Sequence, residues 1–322
     1  MSWRLKQSHV GRKWQKESNP LLHPINPSNF LDRDCCAYSI GSCFAVNLNR
    51  WLQSQGFGVP PVSWGMHYNP RTILYELQRA VGQNVPEMDW IVTREDGSTA
   101  YVDALRHCID AQSAGELRRI KAAIARESAR AFAAADGFLI TLGLSDVWEV
   151  ERDGEPITLN RAPYRDARTL EQLSSEAATN RFLSVEECVV DLARIAGIIR
   201  ANRPGAPIIL TVSPVPLKHT SNACHPHIAN SRSKSTLLSA IFAFIDQDRG
   251  EPKVSYFPSY EFFQSNPLGI ELWQPDHRHP TAQAISCVAE AFVSAYSDSR
   301  IDIRPGFSVP IFGEGRILAD SR

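Results

Sequence analysis

Nowhere in the 322 residues is there an apolar run approaching the length of about eighteen that a membrane-crossing helix needs. Neither sign of charge dominates: 34 Lys+Arg stand against 35 Asp+Glu, a net charge of −1. A dedicated nucleic-acid binder gains affinity by releasing counterions with a basic surface, so the balance argues against that class of partner. Glycine (18) and proline (21) are too sparse for collagen-like or low-complexity chains. The 7 cysteines are odd in number and scattered, with only Cys35 and Cys36 adjacent, which is not a disulfide framework. The opening stretch from Met1 to Lys16 is basic but lacks the apolar run of a secretory signal. Reduced thiols and the missing signal together give a cytoplasmic expectation.

What is present is globular: 43% hydrophobic and 21% charged residues, in a chain long enough to bury a large core without staples. Residues 1–33 read as a polar arm broken at Asn19-Pro20, His23-Pro24 and Asn26-Pro27, residues 34–300 as one domain, and 301–322 as a tail. Cys36-Ala-Tyr-Ser-Ile40, Phe138-Leu-Ile-Thr-Leu142, Ile208-Ile-Leu-Thr-Val212 and Val254 to Phe257 are short apolar runs suited to buried strands. An extended piece is expected near 57–62. Phe44, Leu48, Trp51 and Leu52 recur at helical spacing; a second helix starts near Pro70. Ser113-x-x-Glu116 and Ser184-x-x-Glu187 are capping boxes opening further helices, one more is expected from about 231 to 248, and the last follows Pro280. Asp96-Gly97 and Asp153-Gly154 mark hairpins, while 155–182 is polar and carries no clear period. Apolar runs alternating with amphipathic helices predict a three-layer α/β/α sandwich with a mostly parallel sheet and hairpin insertions.

In an open α/β sheet, ligands bind at the carboxyl ends of the strands. Those ends carry Gly41-Ser42, Leu142-Gly-Leu-Ser-Asp146 and Thr211-Val-Ser-Pro214, and Asp276-His-Arg-His279-Pro280 stands before the last helix. A Ser, a His and an Asp therefore fall on one edge. A serine hydroxyl attacks poorly until a histidine takes its proton, and a carboxylate holds that histidine and stabilises its charged form. The spacing Asp276-x-x-His279 puts base and orienting acid on one loop. The backbone N–H groups that follow Ser42, beginning at Cys43, sit at a helix start and suit a developing oxyanion.

These residues resemble a known family. Ile40-Gly-Ser-Cys-Phe-Ala45 matches the signature of the GSCFA family, and further matches are Tyr68-Asn69-Pro70, Leu142-Gly-Leu-Ser-Asp-Val-Trp148, Thr211-Val-Ser-Pro214, Ser233-Lys234, Tyr256-Phe-Pro-Ser-Tyr260 and Asp276-x-x-His279-Pro280. That family resembles a branch of the SGNH or GDSL hydrolase superfamily, whose fold is flavodoxin-like. The resemblance implies Ser42 as nucleophile, His279 as base, Asp276 as orienting acid and Gly65 as the second-block glycine of the oxyanion hole. Ser145 stands where the superfamily carries an Asn. A hydroxyl offers one hydrogen where the amide offers two, and Asn69 is the candidate for the missing donor.

Bland readings stand beside these. Ser42 alone suits a helix N-cap, and Asp276 with His279 suits a helix start. Cys43, one residue past the serine, reads as inward packing rather than as a reactive thiol. His219, Cys224, His225 and His227 bear metal-capable donors, but their spacing fits no known finger, so no metal or other cofactor is expected. Ser213 and Lys234 default to structural hydrogen bonding. Trp64, Trp148 and Trp273 are either core or walls for a sugar ring or acyl chain. The expected function is an ester hydrolase or O-acyltransferase acting on an acylated carbohydrate or similar small ester. The alternative is a non-catalytic carbohydrate-binding or scaffold protein, and a thiol enzyme using Cys43 ranks behind both.

Overall fold

The computed structural model describes residues 19–93, 96–160, 178–298 and 301–304; the expected arm up to residue 18, most of the unassigned polar stretch (161–177) and the tail from 305 lie outside the described residues. In chain order the elements are β1 (Ala37–Gly41), α1 (Cys43–Ser54), α2 (Pro70–Ala80), β2 (Asp89–Thr93), β3 (Thr99–Asp103), β4 (Asp110–Ala111), α3 (Ala114–Ala134), β5 (Gly137–Leu142), β6 (Asp146–Arg152), β7 (Glu155–Leu159), β8 (Thr179–Phe182), α4 (Val185–Asn202), β9 (Ile208–Val212), α5 (Pro226–Gln247), β10 (Ser255–Tyr256), α6 (Ser259–Ser265) and α7 (Ala282–Tyr296).

The four apolar runs pair in parallel in the order β1-β5-β9-β10, with Gly41 opposite Thr141 and Leu142 opposite Val212. Every residue of β1, β5 and β9 is buried, because helices cover both faces and leave no side for polar alternation. The spatial order equals the chain order, so every crossover steps the same way. Right-handed crossovers then lay their helices on one face, where α2 packs with α3 and α4, and α4 with α5. On the other face α1 packs with α7, and Trp51 Nε1 donates to Ser286 Oγ at 3.1 Å between them. The expected three-layer sandwich is therefore the observed one.

Both hairpins form, and each gains a third strand: β2-β3-β4 and β7-β6-β8. The alternation in β2, with Trp90 and Val92 buried between exposed neighbours, shows a one-faced sheet. The two small sheets share a second core built on Met88, Trp90, Val102, Leu105, Val150 and Leu159. Asn160 sews this unit to the main domain: its Oδ1 accepts from the Tyr68 N–H at 2.8 Å, and its Nδ2 donates to the Met66 carbonyl at 2.5 Å.

Several boundaries differ from the sequence reading for local reasons. The helix expected from 231 begins at Pro226, because His225 caps it through Nδ1 and proline suits a first turn. The stretch 57–62 forms no strand, and the run from Val254 shortens to two paired residues. There Ile25 bridges antiparallel to Tyr256, so the described end of the arm covers the sheet edge. Ser184 and Glu187 form the full capping box, whereas Glu116 reaches the Gln112 N–H at 2.9 Å instead of that of the cap Ser113. Among the described residues no helix is long and apolar enough to cross a membrane. No disulfide links the seven cysteines.

Candidate active site

Gly41 ends β1 at φ +144, a conformation closed to most side chains, and a Cβ there would run into the Thr141 carbonyl of the neighbouring strand. That turn delivers Ser42 to the N-cap of α1, where its Oγ accepts from the Phe44 N–H at 3.3 Å. The Ser42 residue is 2% exposed. A helix N-terminus lies behind it, so the backbone N–H groups that begin with Cys43 favour negative charge at this point.

The neighbouring strand ends are stitched together. The His67 N–H donates to the Gly41 carbonyl at 2.8 Å, and the Tyr68 carbonyl accepts from Gly143 and Leu144 at 2.8 and 2.7 Å. Lys234, fully buried on α5, donates from Nζ to the Gly143 and Ser213 carbonyls, each at 2.7 Å. Burial pushes its ammonium down to about 7, offset in part by nearby Cys43 and reinforced by Arg278. A neutral amine still has two N–H groups for those two carbonyls, so Lys234 clamps β5 to β9 in either charge state. Ser233 beside it accepts from the Ser145 N–H at 2.5 Å, while the Ser145 hydroxyl is buried with no hydrogen-bond partner among the described residues.

Asp276 and His279 meet on the loop before α7. His279 Nδ1 lies 2.5 Å from Asp276 Oδ2, and Asp276 Oδ1 accepts the backbone N–H groups of Arg278 and His279, each at 3.0 Å. The His279 N–H, with its imidazole and the Arg278 N–H, holds the Asp276 carboxyl well below the usual carboxylate range, although the side chain is 48% exposed. Arg278 Nη1 sits 3.3 Å from His279 Nε2. Arginine has no acceptor, so Nε2 carries the lone pair and Nδ1 the proton, the tautomer a general base requires. Arg278 Nε in turn donates to the Pro216 carbonyl at 3.3 Å, which ties this loop to the segment after β9.

A chain of rings joins the histidine loop to the start of α1: Trp273 packs on Phe263 (centroids 4.9 Å apart), and Phe263 on Phe44 (6.2 Å). Ser42 and His279 do not hydrogen-bond each other; Ser42 Oγ is engaged by Phe44 and His279 Nε2 by Arg278.

The remaining sequence candidates are placed as follows. Asn69 caps α2, its Oδ1 accepting from the Thr72 N–H at 2.9 Å and its Nδ2 facing the Leu159 carbonyl at 3.4 Å, so its amide is engaged in the fold. Gly65 has φ +83, and a Cβ on it would meet Arg106, His107 and Ile109. Cys43 is buried in the main core. Trp64 is fully buried and stacks on Tyr38 with centroids 4.4 Å apart, which makes it core; Trp273 is half-buried beside the histidine loop. His225 and His227 lie at the start of α5, and no group of three or more metal-capable side chains forms among the described residues.

The sequence reading missed a buried ionic cluster behind Tyr68. Arg106 Nε lies 2.7 Å from Glu76 Oε2 and Nη1 3.1 Å from Asp103 Oδ2, with all three side chains at most 1% exposed. Burial pushes Glu76 up, but the charges of Arg106 and Arg79 outweigh it and hold the carboxyl below its ordinary value. His67, 3.8 Å from Glu76, is pushed down to about 4 by burial and is neutral near pH 7. It also missed Arg278 as the group facing His279. The signal for both was the charge itself: Glu76 falls among the buried positions of α2, and Arg278 stands between the two triad candidates.

The model of the GSCFA family matches residues 37–292, a span that holds the whole parallel sheet, Ser42 and the Asp276–His279 pair. None of the curated proteins matches the chain.

Proposed function

The chain belongs to the GSCFA family, and from that premise we propose that it is an ester hydrolase or O-acyltransferase working through Ser42, His279 and Asp276. The observation that carries the reading is the Asp276–His279 pair, with the imidazole held in the base tautomer at the sheet edge where Ser42 caps α1. Ser42 Oγ attacks the acyl carbon while His279 Nε2 takes its proton. The charged imidazole then gives that proton to the departing alcohol, leaving the acyl group on Ser42. Water or a sugar hydroxyl, deprotonated by the same nitrogen, resolves the acyl-enzyme. Donors for the oxyanion come from the backbone after Ser42 and from the otherwise unpartnered Ser145 hydroxyl.

Two movements belong to this reading. Arg278 leaves Nε2, and the cover over the 2%-exposed Ser42 opens to admit the ester. Half-buried Trp273 is the aromatic wall for an acylated carbohydrate or similar small ester. A cytoplasmic site of action fits the reduced thiols. The test is turnover of p-nitrophenyl acetate by purified protein without added metal. Activity that Ser42→Ala and His279→Ala both abolish, in folded protein, is the expected result; wild-type turnover in Ser42→Ala overturns the mechanism. A second reading, a carbohydrate-binding or scaffold protein without turnover, is favoured by the burial of Ser42 and predicts no hydrolysis by any of the three proteins.

A further inference from the structure

The far end of α2 lies roughly 15 Å from its Asn69 cap, at 1.5 Å per residue, and so away from the Ser42 edge. There the chain leaves Arg79 through Gly82 towards β2, and α3 crosses beside it. Between them is a cleft of about 560 Å3 lined by the cations Arg79, Arg106, Arg118 and Lys121 and the carboxylates Glu87 and Asp89, with Val85 and Met88 among its apolar surface. Its cations are unevenly matched. Lys121 takes Glu87 and Asp89, and Arg106 takes Glu76 and Asp103. Among the described residues Arg79 has only the Pro86 carbonyl, 2.6 Å from Nη2, within hydrogen-bond reach; its closest carboxylates there are Glu87 at 3.6 Å and Glu76 at 3.7 Å. Arg118 is exposed at the mouth and forms no salt bridge among the described residues.

Three buried guanidinium nitrogens, Arg79 Nε and Nη1 and Arg106 Nη2, make no hydrogen bond among the described residues, the first two having only the long ion pairs to Glu87 and Glu76, on side chains only 8% and 1% exposed. A buried donor left unmade costs about 1–3 kcal/mol, and more when it is charged. Folded proteins keep such groups where water, an ion or a ligand satisfies them. Burial and the neighbouring Arg106 charge also hold the Arg79 guanidinium below its ordinary value, against the opposing pull of Glu76, Asp103 and Glu87.

We propose that this cleft binds a small molecule carrying an oxyanion, a carboxylate or phosphoryl group. Its oxygens accept from Arg79 and Arg106 and pair with Arg118, and its apolar body lies on Val85 and Met88. A guanidinium pair offers the forked donors that such planar or tetrahedral oxyanions match. The proposal stands apart from the ester reading and survives its failure. The competing occupant is water alone, which the unpartnered Glu76 Oε1 would also welcome.

The experiment is calorimetric titration of the full chain with inorganic phosphate and, separately, with hexanoate, at ionic strength fixed by chloride. Saturable millimolar or tighter binding of either probe is expected. Phosphate alone identifies a phosphoryl ligand, hexanoate alone a carboxylate. Binding should weaken about tenfold in Arg79→Gln and in the exposed, fold-neutral Arg118→Glu, each removing one charge-assisted contact. Should Arg79→Gln fail to fold, Arg118→Glu decides. No saturable heat from either probe overturns the proposal. So does undiminished binding in Arg118→Glu, or a crystal grown with saturating probe in which only water meets Arg79 and Arg106.

Discussion

Two acid–base pairs of almost equal length serve opposite ends. Asp276 and His279 are 2.5 Å apart with the carboxylate 48% exposed; Glu76 and Arg106 are 2.7 Å apart with the carboxylate fully buried. The exposed pair contributes little to holding the fold, because water already solvates its carboxylate. Its carboxylate stays open to solvent. The buried pair has surrendered its water and is strongly committed: losing either member strands a charge in the interior. Distance alone therefore does not separate the pair proposed for catalysis from the one locked in the interior, whereas solvent access does.

The sharpest way to break the comparison is Ser42→Ala. Turnover should fall at least ~10⁴-fold, with His279→Ala nearly as severe, since members of such a unit are not additive. Asp276→Ala should lose less, because it orients and does not transfer. Stability in urea should drop by only about 1 kcal/mol for the serine, the worth of a helix cap. Glu76→Ala should show the reverse pattern. Arg106 keeps only Asp103 and loses its closer carboxylate, which should cost about 3 kcal/mol in urea unfolding, and a variant of unchanged stability would show that the cluster holds nothing together.

Lys234 sits at the edge yet is fully buried, and pH tests which camp it joins. Its folded value is pushed down to about 7 while the unfolded chain keeps the ordinary 10.5. Between those values the unfolded state binds more protons, so stability should rise with pH, by at most ~1.4 kcal/mol per unit. Lys234→Met should flatten that rise between pH 7 and 9; an unchanged slope would assign it elsewhere. The smallest effect belongs to Asp276→Asn. The folded carboxyl lies below its ordinary 3.8, so its contribution is present above that pH and lost as pH falls below it. At this exposure the gap between wild type and variant should be under about 1 kcal/mol at pH 7, and should close in acid.

The sheet was legible in the sequence because its strands are buried on both faces and therefore read as unbroken apolar runs. The helices were legible through their caps, as Ser113 and Ser184 show. Ser42, Asp276 and His279 were legible because a strand end and a three-residue spacing are local signals. The Glu76–Arg106–Asp103 cluster was not, since Glu76 lies 30 residues before Arg106 and only folding brings it to the Asp103–Arg106 pair. The same holds for Asn69, whose amide is set by α2 and Leu159, and for Arg278, whose direction depends on the Pro216 carbonyl after β9.

Fluorophosphonate labelling of the folded protein, mapped by mass spectrometry, tests the central claim most directly. A single adduct on Ser42, absent in Ser42→Ala and slowed severely in His279→Ala, is the predicted result. An unlabelled folded protein, or an adduct on any other residue, would contradict it.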